Sequence, residues 1–185
     1  MAFATSNDGK FREISEQMRA HGYEVEHIKT KYPEIQAETL EDTIVPGLQW
    51  LIERYDRPLF IDDSGLFVDA LKGFPGVYSS YVFKTVGCDG ILRLMRGTED
   101  RTARFECCIG YMAPGGEPVI AKGVAHGTIS HEMAGSGGFG YDPIFVPEGH
   151  TRTYAQIGVV EKNTMSHRGR AVAKFLEELP RLVRT

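Results

Sequence analysis

The sequence has little cysteine, no excess of basic charge and no long apolar run. Its three cysteines, Cys88, Cys107 and Cys108, are odd in number, and no pair has the spacing of a zinc site or of a disulfide framework. We therefore expect free thiols and a reducing, cytoplasmic location. Cys107 and Cys108 lie within an apolar run, which indicates packing residues.

A slight acidic excess also argues against some functions. The formal net charge is −4 over 185 residues, so a broad basic face that binds nucleic acid independently of sequence is not expected. A few lysines and arginines around a phosphate are compatible with that total. No apolar run approaches the roughly 20 residues of a membrane-spanning helix, and residues 1–10 lack the pattern of a signal peptide. We expect neither a membrane nor a nucleic acid as a partner.

Short apolar runs alternate with helical periodicity, which is typical of α/β proteins. Strands are predicted at 1–5, 23–28, 58–62, 66–71, 102–113, 117–130 and 144–146, and helices at 10–20, 39–55, 89–96 and from about 166 to Pro180. Pro46 and Gly47 should kink or break the second helix, because proline removes a backbone donor. We expect one domain over residues 1–185, with a mixed, partly antiparallel sheet, flanking helices and a cleft between two lobes.

Polar residues follow the first predicted strand, in the run Thr5-Ser6-Asn7-Asp8-Gly9-Lys10. Backbone N–H groups at a helix start favour an anion, and Lys10 would add a full positive charge beside a phosphate. The run is not a P-loop, because the pattern GxxxxGK[ST] is absent. An ordinary turn between a strand and a helix is the alternative interpretation.

Carboxylates follow a second apolar strand, in the run Asp62-Asp63-Ser64-Gly65. Two adjacent carboxylates are costly unless a cation or a proton accompanies them. Because neighbouring side chains on a strand point to opposite faces, one of them can face a cleft. Oxygen ligands suit Mg²⁺, and either Glu34 or Glu38 could supply a second carboxylate. The alternatives are a polar turn capped by aspartate and a solvated acidic loop.

Two further polar segments lie in the last third of the chain. In the glycine-rich loop at 137–143, Phe139 and Tyr141 could stack on a base and Asp142 could accept a hydrogen bond from it; a flexible turn with core aromatics is the alternative. Near the last helix, Lys162 and Arg168 could hold a phosphate or a carbonyl oxygen, or belong to a solvated basic turn. A positive charge at a helix start opposes the helix dipole, which hints that Arg168 serves a ligand.

Five motifs, taken in order, resemble the family of noncanonical purine nucleoside triphosphate pyrophosphatases, also called ITP/XTP pyrophosphatases. They are Thr5-Ser6-Asn7-x-Gly9-Lys10, Asp62-Asp63-Ser64-Gly65-Leu66, Phe74-Pro75-Gly76-Val77-Tyr78-Ser79, Gly138-Phe139-Gly140-Tyr141-Asp142-Pro143 and Ser166-His167-Arg168-Gly169. They extend over essentially the whole chain. The segment 32–38 is most similar to archaeal members, whereas Pro46-Gly47 departs from the pattern expected of the family.

The resemblance implies an elongated α/β fold with a deep cleft, a homodimer, and hydrolysis of ITP, dITP or XTP to the monophosphate and pyrophosphate with Mg²⁺. It implies that Asp63 is a metal-linked general base, that Glu34 is the other metal carboxylate, and that Lys10 offsets phosphate charge. The implied substrate contacts are Thr5, Ser6, Asn7, Asp8, Gly9, Lys10, Ser64, Phe139, Gly140, Tyr141, Asp142, Lys162, His167 and Arg168.

Three other functions fit the sequence less well. A pyrophosphatase of the Maf type would act on dTTP or modified pyrimidines, but its N-terminal loop rich in serine and arginine is missing. A nucleotide-binding protein without catalysis would not need Asp63, Lys10 and Glu34 together. A purely structural α/β module would leave the clustered polar loops unexplained.

Overall fold

The structure, a computed structural model, describes residues 1–33, 35 and 37–182, with side chains up to residue 179. Within this part of the chain, six strands form one sheet in the order β2-β1-β3-β4-β5-β6. The strands are β1 (Ala2–Ala4), β2 (Glu26–Ile28), β3 (Leu59–Val68), β4 (Thr102–Met112), β5 (Val119–Ile129) and β6 (Phe145–Pro147). β1 pairs in parallel with β2 and β3, whereas β5 and β6 are antiparallel. The expected mixed α/β sheet is confirmed.

Six α-helices accompany the sheet in the described part of the chain. They are α1 (Asp8–Ala20), α2 (Leu40–Tyr55), α3 (Ser79–Thr85), α4 (Gly87–Leu94), α5 (Val159–Met165) and α6 (His167–Leu182). The sequence did not predict α3 or α5, which are each only seven residues long. The prediction that Pro180 ends the last helix was wrong, because α6 continues to Leu182. A proline so near a helix end removes only one backbone donor.

Helix α2 is continuous through Pro46, so the predicted break at this position was wrong. Thr39 caps the helix as expected, since its Oγ1 accepts a hydrogen bond from the backbone N–H of Asp42 at 3.2 Å. The apolar face of α2 is fully buried, and this burial outweighs a proline cost of about 3 kcal/mol. Gly47 has a packing role: a Cβ placed there would lie 2.9 Å from ring carbons of Tyr32 and 3.1 Å from Cδ1 of Ile61.

Strand β3 is a single strand of ten residues that passes through Asp62-Asp63-Ser64-Gly65. The predicted strand end at Asp62 was therefore wrong, and Asp69–Leu71 is a 3-10 turn and not part of a strand. Within the strand, the buried Asp62 carboxylate lies near two cationic side chains, those of Lys10 and Arg168. Position 65 requires glycine for a steric reason, since a Cβ there would collide with the carbonyl oxygen of Gly76.

The chain divides into two compact units, each with its own core. Unit 1 comprises Met1–Asp63, Cys107–Gly123 and Arg168–Thr185, and unit 2 comprises Ser64–Glu106 and Val124–His167. The core of unit 1 is built from Phe3, Ile14, Met18, Phe60, Cys107, Ile109, Tyr111, Ala121, Ala171, Val172, Phe175 and Leu179. The core of unit 2 is built from Leu66, Val68, Val82, Cys88, Ile91, Met95, Ala103, Phe105, Ile129, Tyr141, Ile144, Phe145, Tyr154 and Ile157. Whether the two units act as one domain around a cleft stays a prediction.

Helix α6 buries the face predicted from its periodicity. Val172, Phe175 and Leu179 are buried, and Leu176 is only partly buried. The three cysteines are free, as their spacing predicted, and all are buried, which was expected of Cys107 and Cys108 from the apolar run around them. Among the described helices, none combines the length and the apolar character needed to cross a membrane.

Candidate active site

The loop between β1 and α1 is a capped helix start in unit 1. Oδ1 of Asn7 accepts hydrogen bonds from the backbone N–H groups of Gly9 at 2.9 Å and Lys10 at 3.1 Å. Oγ1 of Thr5 in turn accepts from the N–H of Asn7 at 3.2 Å. The ordinary strand–helix turn and the predicted anion site are therefore compatible, because Ser6 and Asn7 are exposed at the positive end of the helix dipole.

Asp8 contributes a negative charge to this loop. Both of its carboxylate oxygens lie 3.0 Å from Nζ of Lys29, and both side chains are exposed. An acidic side chain repels a phosphate. Asp8 therefore fits a phosphate loop through its backbone and its pairing with Lys29, and not through its carboxylate.

Lys10 extends from α1 to Asp62, in the middle of β3. Its Nζ lies 3.2 Å from both the carbonyl oxygen and Oδ2 of Asp62, and 17% of its side chain is exposed. Burial alone would lower the pKa of Lys10, but the charges of Asp62 and Asp63 raise it above its usual value. Lys10 is therefore a cation at neutral pH, as a phosphate ligand must be.

Asp62 and Asp63 point to opposite faces of β3, as strand alternation predicted. The Asp62 carboxylate is fully buried, whereas Asp63 is half-buried. Oδ2 of Asp63 accepts a hydrogen bond from Oγ1 of Thr43 on α2 at 2.8 Å. Asp63 is thus the partly accessible carboxylate of the pair, and Asp62 is a structural charge.

Arg168 lies at the start of α6 and is buried among carboxylates of unit 1. Its Nη1 donates to Oε2 of Glu13 at 2.5 Å, and its Nε is 3.6 Å from Oδ2 of Asp62. Burial would lower the pKa of the guanidinium, but Glu13 and Asp62 raise it above its usual value. A positive charge at the start of α6 opposes the helix dipole. The carboxylates of Glu13 and Asp62 offset this cost, so a bound ligand is not needed to explain the position of Arg168. Its expected contact with substrate stays a prediction.

In unit 2, the glycine-rich loop is organised by Asp142. Oδ2 of Asp142 accepts hydrogen bonds from Nζ of Lys162 at 2.7 Å and from the N–H of Phe139 at 2.9 Å. The Asp142 and Lys162 side chains are almost completely buried, at 4% and 2% exposure. Gly138 has a φ of +70°, and a Cβ there would collide with Oδ2 of Asp142. Only glycine satisfies both conditions.

The two aromatic residues of this loop have different environments. Phe139 is partly exposed, and Nζ of Lys162 lies 5.2 Å from its ring centre. Tyr141 lies in the core, where its ring meets Phe83 edge-on and its hydroxyl donates to the carbonyl oxygen of Ser79 at 3.1 Å. Burial raises the pKa of Tyr141. The expectation that Tyr141 stacks on a base is corrected accordingly, since neither face of a buried ring can receive a base.

His167 and Ser64 also belong to unit 2. The His167 ring stacks on Phe105 with 4.6 Å between ring centres and 12° between planes, and the residue is buried. Ser64 is half-buried. Gly140 is partly exposed, and its carbonyl oxygen accepts from the Cys88 thiol at 3.5 Å.

The carboxylates fit a magnesium ion only in part. Glu34 lies outside the described residues, and Glu38 is exposed. Within the described part of the chain, no three His, Cys, Asp or Glu side chains are grouped as metal ligands. Mg²⁺ is commonly held by one or two carboxylates together with substrate phosphates, and the half-buried Asp63 fits this role. Asp62 does not, because its carboxylate is buried beside Lys10.

Sequence reasoning missed Glu13 and Thr43. Glu13 follows Lys10 by three residues on α1, a spacing that places both on one helix face, and this could have indicated that the two charges belong to one group. Thr43 interrupts the apolar face of α2, formed by residues such as Leu40, Ile44 and Leu48. A polar residue on a buried face was the available signal.

The chain is similar to known proteins over nearly its whole length. Residues 1–178 match the model of the Ham1 family. A dITP/XTP pyrophosphatase of Thermococcus kodakarensis is 53% identical over 95% of this chain and 94% of its own length, and one of Pyrococcus horikoshii is 51% identical over 96% and 95%. The solved structure of a HAM1 protein from Coxiella burnetii has a TM-score of 0.84 and 30% identity, covering 98% of this chain and 99% of its own.

These matches bear out the resemblance seen in the motifs, including its archaeal character. They also favour it over a Maf-type protein and over a module without catalysis. The chain belongs to the Ham1 family and is a hydrolase of the nucleoside triphosphate pyrophosphatase class.

Proposed function

We propose that this protein hydrolyses the noncanonical purine nucleotides ITP, dITP and XTP to the monophosphate and pyrophosphate, with Mg²⁺, and so removes them from the nucleotide pool. The observation that carries the proposal is the arrangement around Asp62 and Asp63 in the middle of β3. There the cationic Lys10 is bonded to Asp62, and the adjacent Asp63 is partly accessible. Relatives with half of their residues identical are named dITP/XTP pyrophosphatases.

The triphosphate is bound by the start of α1 in this proposal. Ser6 and Asn7 are exposed at the positive end of the helix dipole. Lys10 offsets the charge that develops on the leaving pyrophosphate. Because Asp62 and Asp63 raise the pKa of Lys10, this cation is retained over the whole neutral and mildly alkaline range.

Asp63 orients the attacking water and accepts its proton. Asp62 cannot replace it, because the Asp62 carboxylate is completely buried and bonded to Lys10. Nucleotide pyrophosphatases generally need a divalent metal. Asp63 and Glu34 are the residues proposed to hold Mg²⁺, which supplies charge neutralisation when bound. No covalent intermediate is needed.

In this proposal, residues of unit 2 contact the base. They lie in the glycine-rich loop at 137–143, in α5 and at the first residue of α6. Phe139 is the partly exposed aromatic residue, suited to stacking. Lys162 and His167 are the proposed donors for the 6-keto oxygen of hypoxanthine or xanthine, and because both are buried, Lys162 beside Asp142, this role requires the site to open towards the base. Adenine presents a donor at that position. A polar site left unpaired by the wrong base can discriminate by a factor on the order of 10⁴.

The deciding experiment measures pyrophosphate release from ITP, XTP, dTTP, ATP and GTP, with Mg²⁺ and with chelator, for the wild type and Asp63→Asn. We expect metal-dependent release from ITP and XTP, and its loss in the variant. Release from dTTP instead would favour the Maf-type function. Absence of release from all five nucleotides would contradict the proposal.

The homodimer implied by the resemblance and the cytoplasmic location belong to the same proposal. Large apolar side chains of unit 2 are exposed, among them Tyr81 at 70% and Leu94 at 53%, and such groups commonly lie at subunit interfaces. Light scattering after gel filtration should give twice the chain mass of 20.6 kDa. A mass of one chain at micromolar concentration would contradict the dimer.

A further inference from the structure

Thr43 makes the side-chain contact that organises the proposed general base. It lies in the first turn of α2, is buried at 6% exposure, and places its Oγ1 2.8 Å from Oδ2 of Asp63. The two residues are twenty positions apart in sequence and both belong to unit 1. Their contact therefore depends on packing between α2 and β3.

The Thr43 side chain is itself held in place. Oγ1 lies 2.7 Å from the carbonyl oxygen of Leu40, one turn earlier in the helix. Threonine in a helix divides between two rotamers, because its hydroxyl can bond to such a carbonyl. In the rotamer present, Oγ1 lies within hydrogen-bonding distance of both the Leu40 carbonyl oxygen and Oδ2 of Asp63.

The hydroxyl has one proton and two acceptors. An ionised carboxylate can only accept, so the short contact with Asp63 is stabilising when the proton is shared towards Oδ2. Bonds to a charged acceptor are roughly twice as strong as bonds between neutral groups. Thr43 therefore contributes a restraint on the rotation of the half-buried Asp63 carboxylate.

We propose that Thr43 is a positioning residue that fixes the orientation of the Asp63 carboxylate for hydrolysis; this inference rests on the function proposed above. Thr43 does not touch the substrate. It acts through Asp63, so its loss should reduce the turnover rate and leave substrate affinity nearly unchanged.

The test compares Thr43→Val, which keeps the shape and removes the hydroxyl, with Thr43→Ser, which keeps the hydroxyl. Thr85→Val is the matched control, since Oγ1 of Thr85 also bonds to carbonyl oxygens of its own helix, at 3.0 Å and 3.1 Å, but has no carboxylate partner in these bonds. For each variant, kcat and KM for ITP with Mg²⁺, the thermal unfolding midpoint and a crystal structure are determined.

We expect Thr43→Val to lower kcat by about 10- to 100-fold, the scale of a misplaced catalytic group, with KM within about twofold of wild type. In its crystal structure the Asp63 carboxylate should rotate away from its wild-type orientation. Thr43→Ser should restore kcat to within about threefold, and Thr85→Val should match the wild type.

A wild-type kcat in Thr43→Val would overturn the proposal, as would equal losses of kcat and of the unfolding midpoint in both Thr43 variants, which would indicate a purely structural role. If the wild type releases no pyrophosphate from any nucleotide, the proposed function fails separately. The crystal structures then decide alone: an unchanged Asp63 orientation in Thr43→Val overturns the positioning role, and a rotated one supports it.

Discussion

Arg168 and Glu13 form a buried ion pair, with 2.5 Å between Nη1 and Oε2 and 3% of each side chain exposed. With Lys10 and Asp62 they make a group of two cations and two anions inside unit 1. The group is neutral as a whole, so each of its members depends on the others for charge balance.

Glu13→Ala should therefore be strongly destabilising. It removes one of the two carboxylates described beside Arg168, and breaking one partner of a buried pair costs about 3–5 kcal/mol. Urea denaturation of the wild type and the variant measures this difference in the free energy of unfolding. Glu16→Ala, an exposed acid on the same helix, should change it by less than about 0.5 kcal/mol. Equal effects of the two substitutions would contradict the charge-balance argument.

Lys10→Met should change how stability depends on pH. The pKa of Lys10 is raised in the folded protein above the ordinary 10.5, so its stabilising effect is complete below that value and is lost as pH rises through the folded pKa. The difference in free energy of unfolding between wild type and Lys10→Met should be constant from about pH 7 to 10 and should shrink above that range. Lys84→Met, at an exposed position, is the control for removing a lysine charge elsewhere in the chain. A difference that grows with alkaline pH would contradict the assignment.

The three thiols should be protected in the folded protein. Burial, with the charges of Asp89 and Asp142, raises the pKa of Cys88 to about 11, and burial also raises that of Cys108. At pH 8 the native protein should react with a thiol reagent slower than an exposed cysteine by on the order of a hundredfold. After denaturation in guanidinium, three thiols per chain should react. Rapid native labelling would show that the Cys88 environment is not the one described.

Gly138→Ala tests the glycine-rich loop. A Cβ at Gly138 meets a left-handed backbone and also the Asp142 carboxylate, whereas Gly149 has a similar φ of +79° and open space around it. We expect Gly149→Ala to cost about 1 kcal/mol from backbone strain alone, and Gly138→Ala to cost more than about 2 kcal/mol, because the collision displaces Asp142 from Lys162. Thermal and urea unfolding give both values. Similar costs for the two variants would mean that the loop relaxes around the added methyl group.

Local patterns were enough to predict much of the fold. The first strand, the cap at Thr39, the long hairpin strands and the buried face of the last helix depend on periodicity and on turn residues that lie close together in the sequence. The break expected at Pro46 did not occur, because the fully buried apolar face of α2 stabilises the helix more than one proline destabilises it. Such burial depends on neighbours that are distant in sequence.

The candidate site was predicted in residue type more than in arrangement. The opposite directions of Asp62 and Asp63 follow from strand alternation and were expected. The burial of Arg168 and Lys162 was not, because pairing with Glu13 and Asp142 joins elements up to 155 positions apart. No short-range pattern shows which charges will find a partner in the folded chain.

Gly47 is a position at which helix propensity alone predicts the wrong effect of a substitution. Replacing a glycine within a helix by alanine ordinarily gains about 1 kcal/mol, and α2 would be an obvious choice. Here the added methyl group would press on the ring of Tyr32 and on Ile61. A substitution chosen to make the protein more heat-resistant would therefore displace Tyr32 or Ile61. The absence of one carbon atom in α2 is thus a packing requirement, although helix propensity alone would rate it as a defect.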